Sequence, residues 1–252
     1  MEILDPDTGL QVLIRALHVL AGIAWIGLLY YFNLVQVPSF AAYGDEARAR
    51  NVSIDQLARR ALWWFRWAAI VTLVLGLLLI AVIPEYMQGF MSTDLENRDG
   101  VAHDAAIFVG MVFGILMAAN VWMVIWKNQK VVLANAANVL AGGEADPAAA
   151  AAGRKALLAS RTNFILSFSM LWFMVGAAHL YSGGDSAGAA WAYVIIACVL
   201  AGVFELLGLG KIGGTAATNK MLWPFESHKN ALITGGVLFL FLFFLSEFML
   251  LA

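Results

Sequence analysis

The side chains able to do chemistry in this chain sit in or beside its apolar runs. His18 lies inside the run 10–37, with Gly22 and Trp25 at i+4 and i+7, so the three share one helical face. His103 opens a later run, and His179 falls about one turn from the end of the next. Glu247 lies about one turn from the end of the last. An imidazole in hydrocarbon is costly unless it faces a bundle interior and finds a partner there. That partner is either a hydrogen-bond acceptor or a metal: haem iron, zinc and copper all accept imidazole. Gly22 leaves room beside the ring for a neighbouring helix or for a flat ligand.

Haem needs one or two axial ligands from facing helices and an apolar slot. Trp25, Phe108, Met111, Trp172 and Met174 would wall such a slot, with the two methionines at about the depth of His18. A methionine can itself ligate iron, although in an apolar helix it usually packs. Histidine at a helix end near headgroups needs no cofactor, so His103 and His179 have a plainer reading than His18. His228 reads as a loop or interface residue. Asn120 would bond across helices. Glu205 would serve a proton path or simply be solvated near the interface. The single cysteine, Cys198, rules out an internal disulfide and a Cys-x-x-Cys-His haem attachment. No Ser-His-Asp order stands out.

These residues need helices to hold them. The chain has 252 residues, 62% hydrophobic and 13% charged, with mean hydropathy +0.80. Soluble domains carry about twice that share of charge. The composition points to an all-α polytopic membrane bundle of about six transmembrane helices in a single domain, 1–252. The spans are read at about 10–37, 61–84, 102–127, 160–182, 187–208 and 231–251. Pro84 stops the second. A helical loop, 128–159, lies between the third and fourth, with an interfacial helix that Gly142-Gly143 ends and an alanine-rich helix that Asp146-Pro147 starts. Gly213-Gly214 and the residues to Asn219 read as a flexible turn without the Gly-Lys-Ser/Thr of a phosphate loop.

Charge sets the orientation. Every Lys and Arg except Arg15 and Arg98 falls in or beside the connections 38–60, 127–161 and 209–230. By the positive-inside rule those loops face the cytoplasm and both termini lie outside, in a bacterial inner membrane. The acidic start (Glu2, Asp5, Asp7) and the long first run do not read as a cleavable signal peptide. Nothing suggests nucleic acid; the lipid bilayer is the expected surrounding. The aromatic clusters Trp63-Trp64-Phe65-Arg66-Trp67 and Trp223-Pro224-Phe225 read as interfacial belts.

The segment Leu17-His18-Val-Leu-Ala-Gly22-Ile-Ala-Trp25-Ile-Gly27 resembles the first helix of the bacterial membrane-bound urate hydroxylases (the urate oxidase N-terminal domain family). More loosely it resembles membrane haem-binding protoporphyrinogen oxidases and some copper-resistance proteins. Trp64-Phe65-Arg66-Trp67 is similar to the family's Trp-Phe-Lys-Trp. Asn120-Val, Asn128-Gln-Lys-Val-Val132, Gly142-Gly, Asp146-Pro147 and Arg161-Thr-Asn163 follow in the family's order. His18 matches directly, and His179 matches a family Asn-His within a residue or two. His103 is displaced. Phe108 and Thr162 stand nearest the family's histidines in the third span and beside its Arg-Asn motif. The chain is shorter between the second and third spans and carries no cytochrome c domain.

The resemblance implies a membrane haem b oxidoreductase that would pass electrons to a separate cytochrome c or quinone. His18 would be an axial ligand, with His179 or His103 opposite. Two other functions are compatible with the same residues. One is a non-catalytic membrane subunit or assembly factor of a respiratory or photosynthetic complex. The other is an enzyme of the porphyrinogen-oxidase type.

Overall fold

In a computed structural model, residues 9–83, 100–181 and 186–251 are described. They form six helices long and apolar enough to cross a membrane, and no strands. These are α1 (Gly9–Ala42), α2 (Ala47–Val82), α3 (Val101–Leu140), α4 (Ala148–Gly176), α5 (Ala187–Gly208) and α7 (His228–Leu251). A single short turn of helix, α6 (Trp223–Glu226), precedes α7. Pro84 lies outside the described residues.

Most of these helices outrun the hydrophobic runs that announce them. The expected interfacial helix of 128–159 is instead the continuation of α3, which stops where Gly142 adopts φ 89°. A side chain at φ > 0 is strained, so glycine suits that position. Asp146 accepts a bond from the Ala148 amide at 2.8 Å, and the alanine-rich segment then runs unbroken into α4. Alanine is the strongest helix former, and nothing in that segment breaks the helix before the membrane begins. Ser186 and Ser227 cap α5 and α7 through the amides of Ala189 and Asn230.

Helices consecutive in the chain run antiparallel, while the packed pairs α4–α7 and α3–α5 run parallel. Gln11 reaches Val82 and Phe32 meets Phe65 between α1 and α2. Tyr30 meets Phe164 between α1 and α4, and Tyr193 donates to the Leu242 carbonyl between α5 and α7. One end of the bundle therefore holds the starts of α1, α3 and α5 with the ends of α2, α4 and α7. The opposite end gathers the basic residues and is called the basic end below. The centre is α4: 67% of its most apolar window is buried, against 22–39% for the other five helices. It packs on α1, α3, α5 and α7, and every residue from Arg161 to Ser167 is buried.

Three of the helices widen into a π turn mid-course, at Tyr31–Gln36, Ile54–Ala58 and Asn120–Ile125, and α7 finishes on one at Glu247–Leu251. Such turns are rare and tend to mark functional sites. Two of them carry buried asparagines, Asn33 and Asn120.

Candidate functional site

His18 sits on the seam between α1 and α2. Its Nδ1 is 2.9 Å from the backbone carbonyl of Thr72. A carbonyl can only accept, so Nδ1 carries the proton, and in the neutral ring Nε2 keeps its lone pair. The Thr72 hydroxyl is spent one turn back, on the Ala68 carbonyl at 2.8 Å. Two glycines permit this close crossing. A Cβ on Gly76 would stand 3.0 Å from the His18 ring, and one on Gly22 would touch Thr72. The space beside Gly22 is thus taken by a neighbouring helix. Around His18 the two helices close over a small cluster, Ile14, Leu79 and Ile83, separate from the main core.

The other candidates share that end of the bundle but not that seam. His103, half-buried in the first turn of α3, has Nδ1 2.9 Å from Oδ1 of the buried Asp104. A carboxylate behind an imidazole fixes its orientation, as it does behind many metal-bound histidines. His179 is exposed, in the turn that follows α4, and Glu247 is exposed on α7. Met174 lies against Gly110 and Gly114 of α3, filling the gap the glycines leave. Met111 is half-buried on the same helix. Trp25 is buried, and its indole N–H has no partner among the described residues. Among the described residues no three His, Cys, Asp or Glu side chains gather into a metal-binding group.

A second polar cluster lies toward the basic end, around α4. The Asn120 amide group donates to Asn163 Oδ1 at 3.0 Å and to Glu205 Oε2 at 2.7 Å. Asn163 in turn donates to the Met117 carbonyl at 2.8 Å. Asn33 donates to Ser160 Oγ at 3.0 Å, and Ser167 to the Tyr30 hydroxyl at 3.1 Å. One Glu and three Asn from α1, α3, α4 and α5 thereby fix the level of each helix on the central one. Asn120 does bond across helices, and Glu205 is its partner.

Two arginines of α4 hold the segment between α5 and α7. Arg161, buried, donates to the Phe225 carbonyl. Arg154 clasps Glu226 with two nitrogens, at 2.5 and 3.1 Å, and donates to the Thr215 carbonyl at 3.0 Å. The side chains of Leu222 and Phe225 are fully buried beneath this clasp. The glycine-rich turn before it is hydrogen-bonded too: the Asn219 amide donates to the carbonyls of Ile212 and Gly214.

Neither Asp104 nor Thr72 stands out in the sequence. Asp104 stands beside His103 in a first turn, where an acidic residue is ordinary helix chemistry. Thr72 contributes a backbone atom, which no side-chain pattern announces. No protein family, curated protein or solved structure matches the chain.

Proposed function

We propose that the chain is a multi-pass membrane redox protein that holds haem b and exchanges electrons with a separate cytochrome c or quinone. This reading keeps the resemblance to urate hydroxylases as its guide to substrate class. The observation that carries it is the state of His18. With Nδ1 donating to a backbone carbonyl, Nε2 presents its lone pair, the usual arrangement of a metal-bound histidine. His103, backed by Asp104, is the second candidate ligand. Trp25, Met111 and Met174 supply apolar surface at the same end. Bound haem would supply one-electron chemistry. The residues around it would set its position and its access to water. The distribution of Lys and Arg supports a bacterial inner membrane with the basic end in the cytoplasm.

The test is a reduced-minus-oxidised absorption spectrum of the purified protein beside His18→Ala and His18→Gln. A glutamine amide can restore a donor to the Thr72 carbonyl but does not replace imidazole on iron. A b-type spectrum absent from both variants, each melting within a few degrees of the wild type, is the expected result. A wild-type protein without haem after reconstitution, or a spectrum retained by His18→Gln, overturns the proposal.

A second reading, a non-catalytic membrane subunit, is favoured by the scatter of His18, His103 and His179 over separate surroundings. It expects a stable complex with other respiratory or photosynthetic subunits and no haem of its own. Gentle solubilisation followed by native electrophoresis separates the two readings.

A further inference from the structure

At the basic end, the seam between α2 and α3 carries two cations on one aromatic ring. The Arg66 guanidinium stands 3.8 Å from the centroid of Trp126, and the Lys130 ammonium 5.9 Å from the same centroid. The helices are locked here by the Trp122 indole, which donates to the Arg66 carbonyl at 3.0 Å. Trp67 meets Trp122 edge-on, and Trp63 lies against Trp67. One step further out on the same seam, Arg59 is already neutralised: it pairs with Asp55 and donates to the Leu133 carbonyl. Arg66 and Lys130 form no ion pair among the described residues.

Arg66 lies about two turns deeper along α2 than Arg59, in a helix long and apolar enough to cross the membrane. A guanidinium at that depth is costly without an anion or water. The indole face relieves part of the cost, and two cations sharing one ring repel each other. Trp63 and Trp67 are 46% and 43% exposed, which puts amphipathic rings on the surface beside the cations. Aromatic rings of this kind settle at headgroup level.

We propose that this seam binds one anionic glycerophospholipid, its phosphodiester between Arg66 and Lys130 and its glycerol and upper acyl carbons against Trp63 and Trp67. The site selects a headgroup without an amine. The nearest carboxylate on the seam, Asp55, is held by Arg59 and cannot receive a choline or ethanolamine nitrogen. Basic clefts between membrane helices are established acceptors of such headgroups.

The experiment is native mass spectrometry of the full chain in neutral detergent, titrated in separate arms with phosphatidylglycerol, phosphatidylcholine and soluble glycerol phosphate. One phosphatidylglycerol is expected to bind well before any phosphatidylcholine, with glycerol phosphate unable to displace it. Each charge near the surface accounts for about a fivefold factor, so Arg66→Gln and Lys130→Gln should each weaken the first site by about fivefold and together by about thirtyfold. Arg60→Gln, on an exposed arginine that makes no contact with Trp126, should leave it unchanged. Arg66→Lys keeps the charge and reports on binding should Arg66→Gln fold poorly. Equal binding of phosphatidylcholine, displacement by glycerol phosphate, or full affinity in the folded double variant overturns the proposal.

Discussion

Gly208, the last residue of α5, tests how α5 lies on the central helix. A Cβ built there falls onto the Thr162 hydroxyl, which itself donates to the Leu158 carbonyl at 3.1 Å. Thr162 is fully buried, so its side chain has nowhere to retreat. The backbone of Gly208 is not at positive φ, so alanine is conformationally acceptable. Gly→Ala in a helix would by itself stabilise by about 0.5–1 kcal/mol. Overpacking a closed site costs about 1–3 kcal/mol. The net effect of Gly208→Ala is therefore a loss between about 0 and 2.5 kcal/mol, centred a little above 1. Gly202, on the same helix, has nothing within 4 Å of its built Cβ, and Gly202→Ala should gain up to about 1 kcal/mol. The assay is unfolding by titration with sodium dodecyl sulfate, starting from neutral detergent micelles. Adding Thr162→Ala to Gly208→Ala should recover at least about 1 kcal/mol relative to the sum of the single variants. Equal stability of Gly202→Ala and Gly208→Ala, or a strictly additive cycle, would refute this packing of α5 on α4.

Asn163→Ala removes the acceptor for Asn120 and the donor to the Met117 carbonyl. Interhelical hydrogen bonds in membranes average about 0.6 kcal/mol, so a loss of about 1 kcal/mol in the same titration is expected, and no loss would mean the network is not formed. Arg154→Ala releases Glu226 and the Thr215 carbonyl together. The pair is partly exposed and is worth only about 0.5–1 kcal/mol, so global stability should barely move. Trypsin cleavage after Lys211 and Lys220 should nevertheless accelerate several-fold, and unchanged cleavage would show that the clasp does not hold the segment.

The six long helices were legible because length and apolarity alone mark a span, whatever the residues contact. Their ends were less so. A hydropathy run stops where the oil stops, whereas the backbone of 148–159 continues because alanine keeps forming helix in water. In the candidate site, His18, Asn120 and Glu205 stood out as polar residues in apolar surroundings. Their partners were less visible, for different reasons. Thr72 offers only a carbonyl, Asp104 looks like an ordinary first-turn acid, and Asn163 falls near the start of a span, where polar residues are expected. The pairing of Gly76 with His18, or of Gly110 with Met174, depends on the rotation of two helices about their axes. A weak amphipathic pattern in nearly all-apolar helices does not set that rotation.

The two ends of the bundle are held by different physics. At the basic end, α4 carries Ser160, Arg161, Asn163 and Ser167 among buried surroundings and finds hydrogen-bonding partners on α1, α3 and α6, with Glu205 of α5 joined through Asn120. Desolvating these groups is offset only when the helices stand at one level, so this end specifies register. At the opposite end the glycines of α1, α2 and α3 let helices approach and the α1–α2 contacts are mainly apolar, while buried hydroxyls join the other helices there, Tyr181 to Ser246 at 2.7 Å and Tyr193 to the Leu242 carbonyl at 3.0 Å. The seam holding His18 has its own small cluster, Ile14, Leu79 and Ile83, apart from the core around α4. The hydrogen bonds that join the α1–α2 pair to the rest run through Asn33, Tyr30, Arg59 and Arg66, all toward the basic end. A ligand taken by His18 would therefore act where the bundle is least tied together. It would stabilise the α1–α2 seam by an amount that grows with the logarithm of ligand concentration above its Kd, leaving the register set by α4 unchanged.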